Sequence, residues 1–153
     1  MTTRADRLKE LGIDLPDIAP PLGSYKPASV TGSLLFVSGQ LPLSGGKLVF
    51  EGKVGVDVSP EDAARAARQS AINVLAVLKK ELGTLDNVKK IVKVTGYVAS
   101  APGFTGQAGV LNGASDLFFD VFGEEGRHAR AAVGVSELPL NAPVEVEIVA
   151  EII

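Results

Sequence analysis

The stretch SPEDAARAARQSAINVLAVLKKELG, residues 59–83, decides the architecture of this chain. Ser59 has a side chain that caps free helix N–H groups, Pro60 suits the first helical position, and Glu61 and Asp62 sit where the helix dipole favours negative charge. Ala67, Ala71, Val74, Leu75, Leu78 and Leu82 recur at helical spacing, and Gly83 closes the element behind Lys79 and Lys80. The pattern predicts a long amphipathic helix, whose apolar stripe requires a covering layer.

Outward from this helix, residues 88–99 alternate loosely through Ile91, Val92, Val94, Tyr97 and Val98 and read as a strand. A second amphipathic helix is predicted over roughly 105–122, with Val110, Ala114, Leu117, Phe118 and Val121 on one face and Gly123 at its end. Residues 129–137 and 144–153 read as two more strands. Upstream, Leu34-Leu35-Phe36-Val37 is a buried-strand pattern, and Ser44-Gly45-Gly46 separates it from Lys47-Leu48-Val49-Phe50 in the manner of a hairpin turn. This Gly-Gly-Lys lacks the spacing of a phosphate loop. Residues 2–12 read as a short helix with Leu8 and Leu11 in contact, followed by a loop holding Pro16, Pro20 and Pro21.

The order hairpin, helix, strand, helix, strand, strand predicts a two-layer α+β fold, a mixed sheet with two helices on one face. One domain is expected across residues 1–153, with 1–21 as an N-terminal helical extension. The uncovered face would carry Glu145, Glu147 and Glu151 together with Val149 and Ile153, beside a strand of alanine and valine. Such a partly apolar face predicts a subunit interface, and hence an oligomer.

Composition removes several function classes. The 153 residues contain no cysteine and one histidine, which excludes disulfides, thiolate zinc sites, a thiol nucleophile and a histidine metal cluster within one chain. No metal is therefore expected. A net charge of −3 with few aromatic residues offers neither a basic stripe nor a stacking platform, so no nucleic-acid partner is expected. Lys89, Lys90 and Lys93 read as a solvated strand end. No apolar run approaches the roughly 18 to 20 residues of a membrane span. Arg4, Asp6, Arg7, Lys9, Glu10 and Asp14 interrupt any signal-peptide core, which points to no membrane partner and a cytoplasmic location.

The chemistry concentrates near the C-terminus. Arg130 sits in the small-residue run Ala129-Arg130-Ala131-Ala132-Val133, and Glu145 follows fifteen positions later in Val144-Glu145-Val146-Glu147. Two neighbouring strands joined by the Leu138-Pro139-Leu140-Asn141 turn would bring them together. A guanidinium fork suits a carboxylate ligand, and a nearby carboxylate can orient or deprotonate water, so the pair suggests chemistry on a small carboxylic acid. A purely structural ion pair is the competing reading. His128, two positions before Arg130, would share its strand face.

Several motifs together resemble the RidA family, also called YjgF or reactive-intermediate deaminases. Gly23-Ser24-Tyr25, Phe36-Val37-Ser38-Gly39-Gln40-Leu41-Pro42, Ala66-Ala67-Arg68-Gln69-Ser70 with Asn73-Val74, Val110 with Asn112 and Phe118-Phe119, and the Arg130 and Glu145 segments all fall in family order. The resemblance implies a chorismate-mutase-like fold, a homotrimer with clefts between subunits, and cofactor-free hydrolysis of short 2-imino acids to 2-keto acids and ammonia. It implies that Arg130 clamps the substrate carboxylate, helped by backbone N–H near Ala132, and that Glu145 positions the attacking water. Tyr25 would close over the apolar tail, with Ser38, Gly39 and Asn112 lining the cleft. This chain departs from the family pattern at His128, where proline is usual, at Ala132, at Val146 and in Gly113-Ala114-Ser115. Two other readings are carried forward: a non-catalytic sensor of small carboxylic acids, and an endoribonuclease or translation inhibitor.

Overall fold

Ser59 caps the long helix as its spacing requires, its Oγ accepting the Asp62 N–H at 3.1 Å. The computed structural model describes residues 2–153. Its elements are α1 (Arg4–Glu10), β1 (Ala28–Thr31), β2 (Leu34–Gln40), β3 (Leu43–Ser44), β4 (Lys47–Leu48), α2 (Pro60–Leu82), β5 (Val88–Ala99), α3 (Gln107–Phe122), β6 (Ala129–Val135) and β7 (Val144–Ile152). Five strands form one mixed sheet in the order β1-β2-β7-β5-β6, all antiparallel except β5 with β6. This is an α+β fold with α2 and α3 packed together on one face.

On β7, Val144, Val146, Ile148 and Ala150 are buried under the helices, while Glu145, Glu147, Val149 and Glu151 point to the other, open face. Gly113 sets the helix pair: a Cβ there would lie 2.0 Å from the Ala64 carbonyl oxygen, so α3 approaches α2 as only glycine permits. Asn73 and Gln69, one turn apart on α2, are polar where the helix is most enclosed. They donate to the carbonyls of Leu41 and Leu43 at 2.9 to 3.1 Å and bind the segment after β2 to the core.

Three sequence expectations are corrected. β2 pairs with β1 and β7 and not with residues 47–50; the glycine turn joins only the two-residue strands β3 and β4. Three of the four β1 residues are exposed, so this edge strand had no apolar alternation to announce it. The loose alternation of β5 has a cause in its register, where Lys89 and Val92 are extra residues opposite β7 and each shifts the pleat. Most consequential, β6 and β7 are not neighbours. The chain crosses over through Pro139–Asn141, and β5 lies between them.

Candidate functional site

Arg130 stands opposite Val94, whose side chain is fully buried beneath the helices, so the guanidinium also projects to the helix side. There Nη1 donates to Asn112 Oδ1 at 2.8 Å and to Ser115 Oγ at 3.1 Å, both on α3. Nε–H and the adjacent Nη2–H, the edge suited to a two-point carboxylate contact, have no acceptor among the described residues. Asn112 and Arg130, together with Ser115, Phe119 and His128, border a depression of about 460 Å³.

The main chain of β6 adds a donor. Ser100 N–H donates to the Val135 carbonyl at 3.0 Å, so Val135 and, by strand alternation, Val133 and Ala131 direct their backbone groups toward β5. The backbone groups of Arg130, Ala132 and Gly134 therefore face the free edge of the sheet. The Ala132 N–H thus opens onto the same free edge of β6 that carries Arg130, while its methyl group packs half-buried against the core.

A second cluster forms on the open face. β2 carries an extra residue near Ser38 and Gly39, a bulge that redirects the strand end over β7. Glu145 lies directly on Gly39, where a Cβ would come within 2.1 Å of its Oε1. Burial, reinforced by the neighbouring Glu147, raises the Glu145 pKa above the ordinary carboxylate value. Glu147 accepts a hydrogen bond from the Tyr97 hydroxyl, which with burial pushes that phenol up to about 12. Ser38 Oγ donates to the Lys26 carbonyl at 2.6 Å and Ser38 N–H to the Pro27 carbonyl at 2.8 Å. These bonds tie the approach segment to β2, but Tyr25 itself is 59% exposed, with its ring against Gly23.

Thus Arg130, Asn112 and Ala132 come together, and Ser38, Gly39 and Glu145 come together, but the two groups do not meet within one chain. Glu145 is level with Tyr97 and Arg130 with Val94, three residues apart along β5. Three residues and two strand spacings separate their Cα atoms by on the order of 14 Å. Their side chains also leave opposite faces of the sheet, so the expected Arg130–Glu145 pair does not form in a single copy. His128 does share the Arg130 side, as its spacing predicts. Ser115 stood out in the sequence only as part of the Gly113-Ala114-Ser115 departure, with no role of its own. What marks it is its i,i+3 spacing from Asn112, which puts both on one helix surface.

The family profile described as "YjgF/chorismate_mutase-like, putative endoribonuclease" matches residues 5–152. The chain belongs to the RidA/YjgF family. Protein TCP17 of Trypanosoma cruzi is 45% identical over 149 residues, covering 97% of this chain and 93% of its own. The crystal structure of Atu1372 from Agrobacterium tumefaciens, a protein of unknown function, has a TM-score of 0.92 at 48% identity, covering 98% of this chain and 92% of its own. YyfA of Yersinia pestis, assigned to the conserved Rid protein family, matches at 30% identity with a TM-score of 0.63, covering 86% of this chain and 90% of its own. The fold is accordingly the chorismate-mutase-like fold of RidA/YjgF proteins. Among the described residues no helix is long and apolar enough to cross a membrane.

Proposed function

We propose that this RidA/YjgF protein hydrolyses short 2-imino acids to 2-keto acids and ammonia, in a site assembled between copies of the chain. The observation that carries the reading is the uncommitted Nε/Nη2 edge of Arg130 on the same free strand as the outward N–H of Ala132, donors suited to an anion. A second copy would bring the Glu145 cluster of its open face against that edge, in a homotrimer of the kind the family resemblance implies. Arg130 and Ala132 would hold the substrate carboxylate and Asn112 would line the cleft. Ser38, Gly39 and Tyr25 would border it from the other copy.

Glu145 would accept a proton from water as the oxygen adds to the imine carbon and would return that proton to the imine nitrogen, which gives the neutral carbinolamine and frees the carboxylate. The carbinolamine then passes its hydroxyl proton to nitrogen, the C–N bond breaks as C=O forms, and ammonia departs. The imine carbon is already electrophilic, so orientation and mild base assistance suffice.

The test is ammonia release from freshly generated 2-iminopropanoate and 2-iminobutanoate by wild type, Arg130→Ala and Glu145→Gln. Acceleration by wild type that is lost in both variants supports the reading, and unchanged turnover in Arg130→Ala sinks it. The separation of Arg130 from Glu145 within one copy favours a second reading, a carboxylic-acid sensor. In that case Glu145→Gln binds 2-oxobutanoate as tightly as wild type, and no imine is turned over. An endoribonuclease role, named in the family description, has little support from a chain of net charge −3, because RNA binding draws on phosphate neutralisation by basic side chains.

A further inference from the structure

The donors and acceptors behind Arg130 form a single directed chain. The Gly126 carbonyl can only accept, so His128 Nδ1, 2.7 Å away, carries a hydrogen, and the ring, lowered in pKa by burial, is taken in its neutral form. Nε2 is then a lone pair, and Ser115 must donate its hydroxyl hydrogen to it across 2.9 Å. With that hydrogen directed at the imidazole, the Ser115 oxygen turns its remaining lone pairs toward Arg130 Nη1 at 3.1 Å. The second hydrogen of Nη1 goes to Asn112 Oδ1 at 2.8 Å. Both hydrogens of one guanidinium nitrogen are thereby held by α3, which fixes the plane of the group.

We infer that Ser115 and His128 are positioning residues for Arg130, holding the guanidinium so that its Nε/Nη2 edge faces a bound carboxylate. The inference rests on the clamp role proposed above. It also explains why a serine–histidine pair lies beside an arginine instead of a carboxylate. The chain of bonds works in this sense only with a neutral imidazole, and the surroundings favour that form. Burial, helped by the Arg130 charge and opposed by the Gly126 bond, lowers the pKa of the ring. Phe118 meets it edge-on with centroids 6.0 Å apart. The other charged groups around it are Asp116 and Arg127, at the rim of the same depression. Arg127 is itself occupied by Glu124 and by the Phe119 ring.

The experiment measures 2-oxobutanoate binding by calorimetry for wild type, Arg130→Ala, Ser115→Ala, His128→Ala and His128→Gln. It also follows the 15N spectrum of the one imidazole in the chain across pH. Loss of one charge-assisted contact behind the clamp should weaken binding by about three- to tenfold in Ser115→Ala and His128→Ala. In imine hydrolysis the change should fall on KM more than on kcat. His128→Gln, whose amide oxygen can take the place of Nε2, should restore affinity, and its binding should not vary with pH where wild type weakens as the ring protonates. The spectrum should show the Nδ1–H tautomer, with Nε2 shifting in Ser115→Ala. If Arg130→Ala loses binding while Ser115→Ala and His128→Ala match wild type, the inference fails and the clamp stands. If Arg130→Ala binds like wild type, the clamp reading fails and the inference with it. Tighter binding on ring protonation would mean that the imidazole touches the ligand directly, which also overturns the positioning role.

Discussion

Glu145 owes its place to a residue with no side chain. Gly39→Ala would put a methyl group where the Glu145 carboxylate lies, 2.1 Å from its Oε1. Because a carboxylate can swing into solvent, the expected loss of stability is under ~1 kcal/mol. Displacing the proposed base should lower imine turnover by about 10- to 100-fold, read from ammonia release beside a melting curve. Wild-type turnover should rise with pH through the elevated Glu145 pKa, since only the ionised carboxylate accepts the proton from water. His128 makes a separate prediction about stability. Its native pKa lies below the ordinary 6.5, so as pH falls the unfolded chain takes up the proton first. Stability contributed by the neutral ring is complete above 6.5 and is lost as pH falls toward the lowered native value. Urea unfolding of wild type and His128→Gln should diverge only in that acid window. Two of the family departures in the sequence, His128 and Ser115, are hydrogen-bonded to each other, which neither position disclosed alone.

Among the elements, α3 gives the sharpest contrast. Glycine inside a helix ordinarily costs about 1 kcal/mol relative to alanine. Gly109 has nothing within 4 Å of its missing Cβ, so Gly109→Ala should stabilise by up to about that amount. Gly113 lies against the Ala64 carbonyl, so Gly113→Ala should destabilise by about 1 to 3 kcal/mol, with both measured by chemical denaturation. The short helix α1 is held by tertiary contacts. Its capping box between Thr3 and Asp6 forms, but the anchor is Arg4, which donates to the carbonyls of Leu85 and Val88, pairs with Glu125 and stacks on Phe122. With the Arg4 side chain 16% exposed, Arg4→Ala should cost about 2 to 4 kcal/mol and loosen α1 first, which hydrogen exchange would report. Helix α2 was legible almost to the residue because its cap, periodicity and terminating glycine are all local. Strand β1 was not, because an exposed edge strand is defined by its partner and not by its own pattern.

At the scale of the molecule, the proposed shared site would join the open face of one copy to the free edge of β6 in another. Phe36 and Val133 are 44% and 42% exposed on that face, among Glu145, Glu147 and Val149. A second copy covering this surface would bury them and bring Glu145 toward an Arg130 cluster. Phe36→Glu should therefore convert an oligomer near three times the 15.8 kDa chain mass into monomer, as read by light scattering. It should abolish turnover with Arg130 and Glu145 both intact. A monomer that retains full activity would remove the shared-site reading.

The helices, the strand-forming segments other than β1, the two-layer class and the arginine and glutamate that carry the proposed chemistry were readable in the chain, because caps, periodicities and residue types act over a few positions. Strand order, the bulges in β2 and β5, the Ser115–His128–Arg130 chain and the separation of Arg130 from Glu145 came only from the folded form. The bulges arise where β2 and β5 pair with β7, and the separation of Arg130 from Glu145 arises because β6 joins β5 in parallel after a crossover. A pairing between segments so far apart in sequence is decided by packing across the whole sheet, and local patterns carry no record of it.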